Sequence, residues 1–304
     1  MTDQTRASVA VVFLAVMITC GFALVGDGRY GLTVFLLLPG TAGGLAVWVK
    51  QPETGGRAFG IGAIAGGLAP MLFLLLGVEG VICAAMAWPL ATLLGGIGGW
   101  LAYQMTNWRV PTRGLPALLF LPLTTLGWDF NAKPPVFEVH TSMEIAAPPE
   151  RVWKYVVAFP DLPEPTEWYF HTGVAYPVRT RIEGSGVGAA RYCELSTGPV
   201  VETIDTWDEP RLLRFRVTST PPPMRERMLY GNAQPKHLHG YMVSKEGQFR
   251  LTALPNGHTL VEGTSWYQHG LWPAVYWRWW SDAIVHRIHL RVLNKIRSLA
   301  ESGA

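Results

Sequence analysis

Two histidines and an aspartate share one face of a predicted helix near the end of the chain. Asp282, His286 and His289 follow the i, i+4, i+7 spacing of a single helical stripe. An aspartate one turn before a histidine can orient the imidazole and raise its pKa, a common arrangement in general acid–base catalysis. The stripe is therefore a candidate catalytic site. The alternative is that these side chains only form hydrogen bonds within the core.

Apolar neighbours predict which way the stripe faces. The final helix is predicted over residues 271–301, and Val275, Trp279 and Leu293 fall on the same side of it as the stripe. We therefore expect the aspartate and both histidines to face a sheet rather than water. Trp279 and His286 then become candidate ligand-binding residues.

Two oppositely charged residues lie on neighbouring predicted strands. The turn signal at residues 196–199 places Arg191 near Glu202 on the apolar face of a hairpin. Buried charges are costly unless they are paired, so an interior Arg191–Glu202 ion pair is expected. A slip in strand register would instead expose both residues to solvent. Both are candidate ligand-binding residues.

A second hairpin adds two more candidates. Asn256-Gly257 is a strong signal for a tight two-residue turn. Pairing across that turn places Glu262 opposite Leu251 and on one face with Trp266. If the apolar face lines the interior, Glu262 and Trp266 are ligand-binding residues.

Other kinds of chemistry find little support in the sequence. No phosphate-cradling glycine loop follows a strand, and no Gly-x-Ser-x-Gly nucleophile motif is present. His237 and His239 could join His286 and His289 as metal ligands, but no cysteine or carboxylate completes a known ligand spacing. No lysine-rich stripe with interleaved aromatic residues points to nucleic acid. We expect no metal, no cofactor and no nucleic-acid partner.

The elements that must position these residues fill the second half of the chain. Phe137, Val139, Thr141, Met143 and Ile145 alternate with polar residues, which predicts a half-buried strand. A short helix is expected after the prolines at 148–149, followed by a run of antiparallel strands and the long final helix. The predicted class of this half is α+β.

Two stretches of this half resemble a known superfamily. MEIAAPPERVWKYVVAF, residues 143–159, and VVETIDTWDEPRLLRFRV, residues 200–217, are similar to segments of the START-like or SRPBCC superfamily, which includes polyketide cyclases and dehydrases. The resemblance covers residues 136–301. It implies the helix-grip fold, an antiparallel sheet curled around a long C-terminal helix with a cavity for lipids or other apolar molecules. Some members are enzymes, and many only bind or carry a ligand.

The first half has a different character. Four apolar runs, at about residues 8–25, 31–49, 58–77 and 80–102, are each long enough to cross a bilayer as a helix. They carry no ionisable group at membrane depth, which argues against a transporter or channel. We therefore expect an N-terminal all-α transmembrane bundle over residues 1–110.

Charges flanking the runs predict an orientation. One side carries nearly all the basic residues of the short connections, Arg6, Lys50, Arg57, Arg109 and Arg113, and the other side carries Arg29. By the positive-inside rule the N-terminus is cytoplasmic. The apolar segment 115–127 is either a short fifth span or an interfacial segment. A fifth span would place the second half outside the cytoplasm, and an interfacial segment would leave it inside.

These observations lead to three functional hypotheses. The favoured one is a multi-pass membrane protein whose domain at 136–304, joined through a linker at 111–135, binds a lipid or other apolar small molecule. The first alternative is a cyclase- or hydrolase-like enzyme that uses the His/Asp pair. The second is a structural or assembly membrane protein. A binding function is favoured over an enzyme, and the sequence indicates no protein partner.

Overall fold

The computed structural model describes residues 2–107, 124–230, 235 and 238–302. The chain forms two compact units. The helical unit comprises Met1–Lys133, Glu226–His237 and Gly270–Pro273. The grip unit comprises Pro134–Arg225, Leu238–His269 and Ala274–Ala304.

Apolar helices make up most of the helical unit. They are α1 (Asp3–Gly26), a π-helical turn (Thr33–Leu37) leading into α2 (Leu38–Lys50), α3 (Gly55–Leu75), α4 (Val81–Asn107) and α5, described over residues 124–131. By length and composition, four helical stretches could cross a membrane: Gln4–Gly26, Thr33–Lys50, Gly55–Leu75 and Val81–Thr106. Most of the predicted fifth span, residues 115–123, lies outside the described residues.

Glycines allow α3 and α4 to approach each other closely. A Cβ atom on Gly95 would lie 2.5 Å from the carbonyl oxygen of Gly62, and a Cβ on Gly62 would collide with the carbonyl oxygen of Gly95. A Cβ on Gly66 would lie 2.5 Å from the carbonyl oxygen of Ala91. Small residues permit such backbone contact where lipid supplies no hydrophobic drive. The glycines therefore pack helices, and they contribute no chemical groups.

Carboxylates cap helix starts at one end of this unit. Asp129 on α5 accepts hydrogen bonds from the N–H groups of Leu32 and Thr33, at 2.7 and 2.9 Å. Glu226 accepts a hydrogen bond from the N–H group of Cys83 at 2.8 Å. The first N–H groups of a helix lack internal partners and attract negative charge. These contacts place α5 and Glu226 beside the starts of α2 and α4.

The opposite end of the helical unit holds the last turn of α4. This helix has 27 residues and is therefore roughly 40 Å long. Near its end, the hydroxyl of Tyr103 donates to the carbonyl oxygen of Glu53 at 3.1 Å, in the connection between α2 and α3. Asn107 and α5 consequently lie at opposite ends of the unit.

The grip unit is a seven-stranded antiparallel sheet with two α-helices. Its strands are β1 (Val136–Ile145), β2 (Pro177–Glu183), β3 (Ala190–Leu195), β4 (Gly198–Asp208), β5 (Leu212–Ser219), β6 (Met242–Ala253) and β7 (Thr259–His269). The sheet order is β1-β7-β6-β5-β4-β3-β2. The helices are α6 (Pro149–Val157) and α7 (Ala274–Glu301), and a 3-10 turn covers Phe170–Thr172. The α+β helix-grip architecture is thus confirmed.

Alternation decides what each strand buries. In β1 the odd-numbered residues point toward α7, and Val139, Thr141 and Ile145 are buried. The odd-numbered residues of β7 do the same beside them. Ile145 and Val261 belong to the hydrophobic core that α6 and the C-terminal half of α7 complete. The predicted amphipathic strand is therefore the inner wall of the grip.

The hairpin between β6 and β7 differs from the predicted two-residue turn. Its loop has three residues, 255–257, and the N–H group of Leu254 donates to the carbonyl oxygen of His258 at 2.8 Å. Gly257 closes the loop with a φ of +80°, which favours glycine. The additional loop residue shifts the register by one and turns Glu262 to the other face of the sheet.

Candidate functional site

The inner face of the sheet has a closed zone and an open zone. In the closed zone Ile204 and Leu213 are fully buried against Leu293 and Ile296 of α7. Farther along the sheet, other inward-facing side chains stay partly accessible. We call this end the open zone, and its members are Cys193, Val217 and Ser265.

A hydroxyl on β1 holds both histidines of α7 at the edge of the open zone. Oγ1 of Thr141 lies 2.8 Å from Nδ1 of His286 and 3.0 Å from Nδ1 of His289. Thr141 is buried, whereas His286 is exposed. The spacing of three residues on α7 brings both imidazoles to one strand position. The predicted stripe therefore faces the sheet through these two histidines.

A second hydroxyl holds the far side of His289. Oγ of Ser265 on β7 lies 2.8 Å from Nε2 of His289. Burial, with smaller contributions from the neighbouring His286 and His140, lowers the pKa of His289 to about 4. The imidazole is consequently neutral at physiological pH, with one proton shared between two hydroxyl contacts.

Asp282 has other partners than the predicted one. Its carboxylate accepts hydrogen bonds from the Tyr267 hydroxyl at 2.6 Å and from Nε of Arg278 at 2.9 Å. Burial and the adjacent carboxylate raise the pKa of Tyr267. Among the described hydrogen bonds of Asp282 there is none to His286, and a catalytic role for these two residues stays a prediction. The i+4 spacing brought the backbones into reach, but Tyr267 and Arg278 occupy the carboxylate.

Arg191 and Glu202 form the expected interior ion pair. They are 2% and 4% exposed, and NH1 of Arg191 contacts Oε2 of Glu202. Arg191 also donates to the carbonyl oxygens of Val157 and Val156, at 3.1 and 3.3 Å, at the end of α6. Burial raises the pKa of Glu202 and the guanidinium opposes that rise. This arrangement joins α6 to the sheet, and a ligand-binding role for the pair stays a prediction.

Three other predicted ligand-binding residues lie away from the inner face. Glu262 and Trp266 are on the outer face, where Nε1 of Trp266 donates to Glu138 at 3.0 Å. Trp279 is 65% exposed and does not face the sheet. The one-residue register shift explains the first two placements. Trp277, which is 4% exposed, takes the buried position near the start of α7 instead.

Sequence reasoning missed the groups that position the histidines. Thr141 was recognised only as part of an apolar alternation, although a hydroxyl within such a face is itself a signal. Ser265 and Tyr267 were missed because the predicted register pointed them outward. Among the residues that the structure describes, no group of three or more His, Cys, Asp or Glu could hold a metal ion. His237 lies outside the described residues.

The second half of the chain is similar to known proteins. Residues 136–270 match the family model described as polyketide cyclase/dehydrase and lipid transport. No curated protein matches the chain. Among solved structures, a Nitrosospira multiformis protein is similar at 19% identity and a TM-score of 0.36, covering 55% of this chain and 100% of that one.

Two named proteins appear among the other similar structures. Norcoclaurine synthase from Thalictrum flavum has 11% identity and a TM-score of 0.36, covering 56% of this chain and 96% of that one. The Zhui aromatase/cyclase from a Streptomyces species has 18% identity and a TM-score of 0.34, covering 55% and 94%. The family match over residues 136–270 and the strand order together show a helix-grip fold of the polyketide cyclase/dehydrase type in this part of the chain.

Proposed function

We propose that this protein is a membrane-anchored binding domain for an apolar small molecule, with a lipid as the favoured ligand. The observation that carries the proposal is the open zone. Val217 faces the inside of the grip and stays partly accessible, whereas Leu213 on the same strand is fully buried. An apolar inner surface with few polar groups is what such a ligand requires. The family description, which names lipid transport, supports the same ligand class.

Ligand capture by the intact chain tests this proposal. The full chain is purified in dodecyl maltoside and examined by native mass spectrometry and by solvent extraction. We expect a co-purifying or exchangeable apolar molecule. Val217→Trp fills the open zone and should reduce occupancy at least fivefold. Thr218→Trp is the matched control, because residue 218 is exposed on the outer face of the same strand and should leave occupancy unchanged.

Two results would contradict the proposal. One is a chain that carries no ligand and takes up none. The other is equal occupancy in Val217→Trp and Thr218→Trp. An empty protein that retains a stoichiometric protein partner in pull-downs would instead support the structural or assembly hypothesis.

We further propose that the four apolar helices span the bilayer and that the grip unit lies on the side opposite the N-terminus. Asn107 and α5 lie at opposite ends of the helical unit, and Lys133 follows α5 directly. The chain therefore leaves the helical unit for β1 from the end that holds α5. The basic residues at the N-terminal end make that end cytoplasmic. We also propose that the boundary between the two domains lies near residue 135.

Single cysteines report this topology in intact cells. In a background without Cys20, Cys83 and Cys193, Glu53→Cys and Ser302→Cys introduce thiols at exposed positions of the two units. A membrane-impermeant maleimide should label the Ser302→Cys variant in intact cells and the Glu53→Cys variant only after permeabilisation. Labelling of both variants from the same side would overturn the proposal.

A further inference from the structure

We infer that His286 is a hydrogen-bonding site whose Nε2 atom meets a neutral hydroxyl or carbonyl oxygen of the bound apolar ligand, as acceptor or donor, and that a relay of Thr141, His289 and Ser265 sets which form it takes. The inference deepens the proposed function and rests on it. His286 is exposed, and its Nδ1 atom is held by Thr141 at 2.8 Å. Among the described residues no hydrogen bond is made by its Nε2 atom, which leaves that nitrogen for a ligand.

The protons of the relay allow two hydrogen-bond arrangements. Each hydroxyl has one proton, and each neutral imidazole has one. In one arrangement His286 donates through Nδ1–H to Thr141, Thr141 donates to Nδ1 of His289, and His289 donates through Nε2–H to Ser265. Nε2 of His286 is then a bare acceptor.

The reverse arrangement satisfies the same three contacts. Ser265 donates to Nε2 of His289, His289 donates through Nδ1–H to Thr141, and Thr141 donates to Nδ1 of His286. Nε2 of His286 then carries the proton and is a donor. The bare form suits a ligand hydroxyl, and the protonated form suits a ligand carbonyl oxygen. The same residues thus serve two kinds of oxygen group without a change in fold.

A ligand hydroxyl keeps its proton in contact with the bare form. When a ligand O–H donates to Nε2, the contact is a hydrogen bond between two neutral groups, and neither an alkoxide nor an imidazolium forms.

The surrounding charges favour a neutral oxygen group over an anion. Arg191 is engaged by Glu202, and Arg278 is engaged by Asp282. His289 stays uncharged because burial lowers its pKa to about 4. An anionic headgroup would therefore gain no unpaired cation from Arg191 or Arg278.

Histidine NMR of the full chain tests the relay without any ligand. The ¹⁵N-histidine-labelled protein in dodecyl maltoside gives the tautomer ratio of His286, assigned with His286→Gln. Ser265→Ala does not touch His286, yet it should change that ratio at least twofold. In the Thr141→Val background, which cuts the relay, Ser265→Ala should have no effect on His286. Circular dichroism and melting temperature confirm that the variants fold.

Matched probes test the ligand-facing atom. We expect 1-dodecanol to favour bare Nε2 and 2-dodecanone to favour protonated Nε2, while dodecane changes neither. Binding of each probe is measured separately by native mass spectrometry. An identical His286 spectrum in Ser265→Ala and wild type, or bound oxygenated probes that act like dodecane, would overturn the inference. Failure of every probe to bind would overturn the proposed function, on which this inference rests.

Discussion

Arg191 and Glu202 lie directly opposite each other on β3 and β4, and their charged groups meet inside the grip. The guanidinium also donates hydrogen bonds to the carbonyl oxygens of Val157 and Val156 at the end of α6. It sits over the Phe215 ring, with Cζ 5.0 Å from the ring centroid. One side chain therefore connects a helix end, a carboxylate and an aromatic ring.

Removing only the cation should be strongly destabilising. Arg191→Met leaves Glu202 buried without its partner and should lower the free energy of unfolding by about 3–5 kcal/mol. The double variant Arg191→Met/Glu202→Leu should recover much of that loss because no unpaired charge remains. Denaturant unfolding followed by tryptophan fluorescence measures both. Arg214→Met, which breaks a half-exposed pair with Glu246, is the control and should cost about 0–1 kcal/mol. Equal losses in Arg191→Met and the control would contradict the assignment.

Acid should destabilise the grip through His289. Its folded pKa of about 4 lies below the ordinary value of 6.5, so the unfolded chain binds more protons between these values. The stabilising contribution is complete above pH 6.5 and is lost as the pH falls toward 4. At its maximum, His289 contributes roughly 3 kcal/mol to the free energy of unfolding.

Unfolding measured at pH 7 and pH 5 checks this expectation. His289→Gln should reduce the loss of stability between the two pH values. His171→Gln, at an exposed position, should leave it unchanged. If His289→Gln loses as much stability between pH 7 and pH 5 as wild type, the assignment of His289 as a neutral, buried imidazole is wrong.

Helix packing in the helical unit should tolerate a methyl group at one glycine and reject it at another. Gly62→Ala places a Cβ atom against the carbonyl oxygen of Gly95 and should cost about 1–3 kcal/mol. Gly60→Ala is on the same helix, where an added Cβ meets nothing within 4 Å, and should be neutral or slightly stabilising. Thermal unfolding in detergent compares them. Indistinguishable melting temperatures would refute the close approach of α3 and α4.

Asp282 should act on stability rather than on His286. Asp282→Leu leaves the buried Tyr267 hydroxyl without its acceptor and should cost about 1–3 kcal/mol. Adding Tyr267→Phe removes the orphaned hydroxyl and should restore part of the loss. The ¹⁵N spectrum of His286 should stay the same in Asp282→Leu. A change in the His286 tautomer ratio would contradict this prediction and would support the aspartate–histidine pair expected from the sequence.

Much of the fold could be predicted because its signals are periodic and local. The alternation from Phe137 to Ile145 fixes the faces of β1, and the apolar runs give four long helices whatever their neighbours. The Arg191–Glu202 pair could also be predicted from the sequence. The turn signal predicts Cys193 opposite Glu202, two residues away from the observed pairing of Arg191 with Glu202, and a shift of two keeps every side chain on its own face.

Details of the site depended on single residues that sequence patterns do not resolve. Pro255 joins the loop that Asn256-Gly257 was expected to form alone, and this one residue reverses the faces of Glu262, Ser265 and Tyr267. The partner of Asp282 was ambiguous for a related reason. Helical spacing offers Arg278 and His286 equally, and only the position of β7 brings Tyr267 into competition.

The chain passes between its two units five times, after residues 133, 225, 237, 269 and 273. Translation therefore completes the helical unit only when Pro273 has been made, long after its first helices have been synthesised. A truncated chain that starts at Pro134 would carry Glu226 without the start of α4 that it caps. Residues of the helical unit and of the grip unit are thus interleaved along the chain. A cut in the linker would leave the helical unit incomplete, because Glu226–His237 and Gly270–Pro273 would be lost from it.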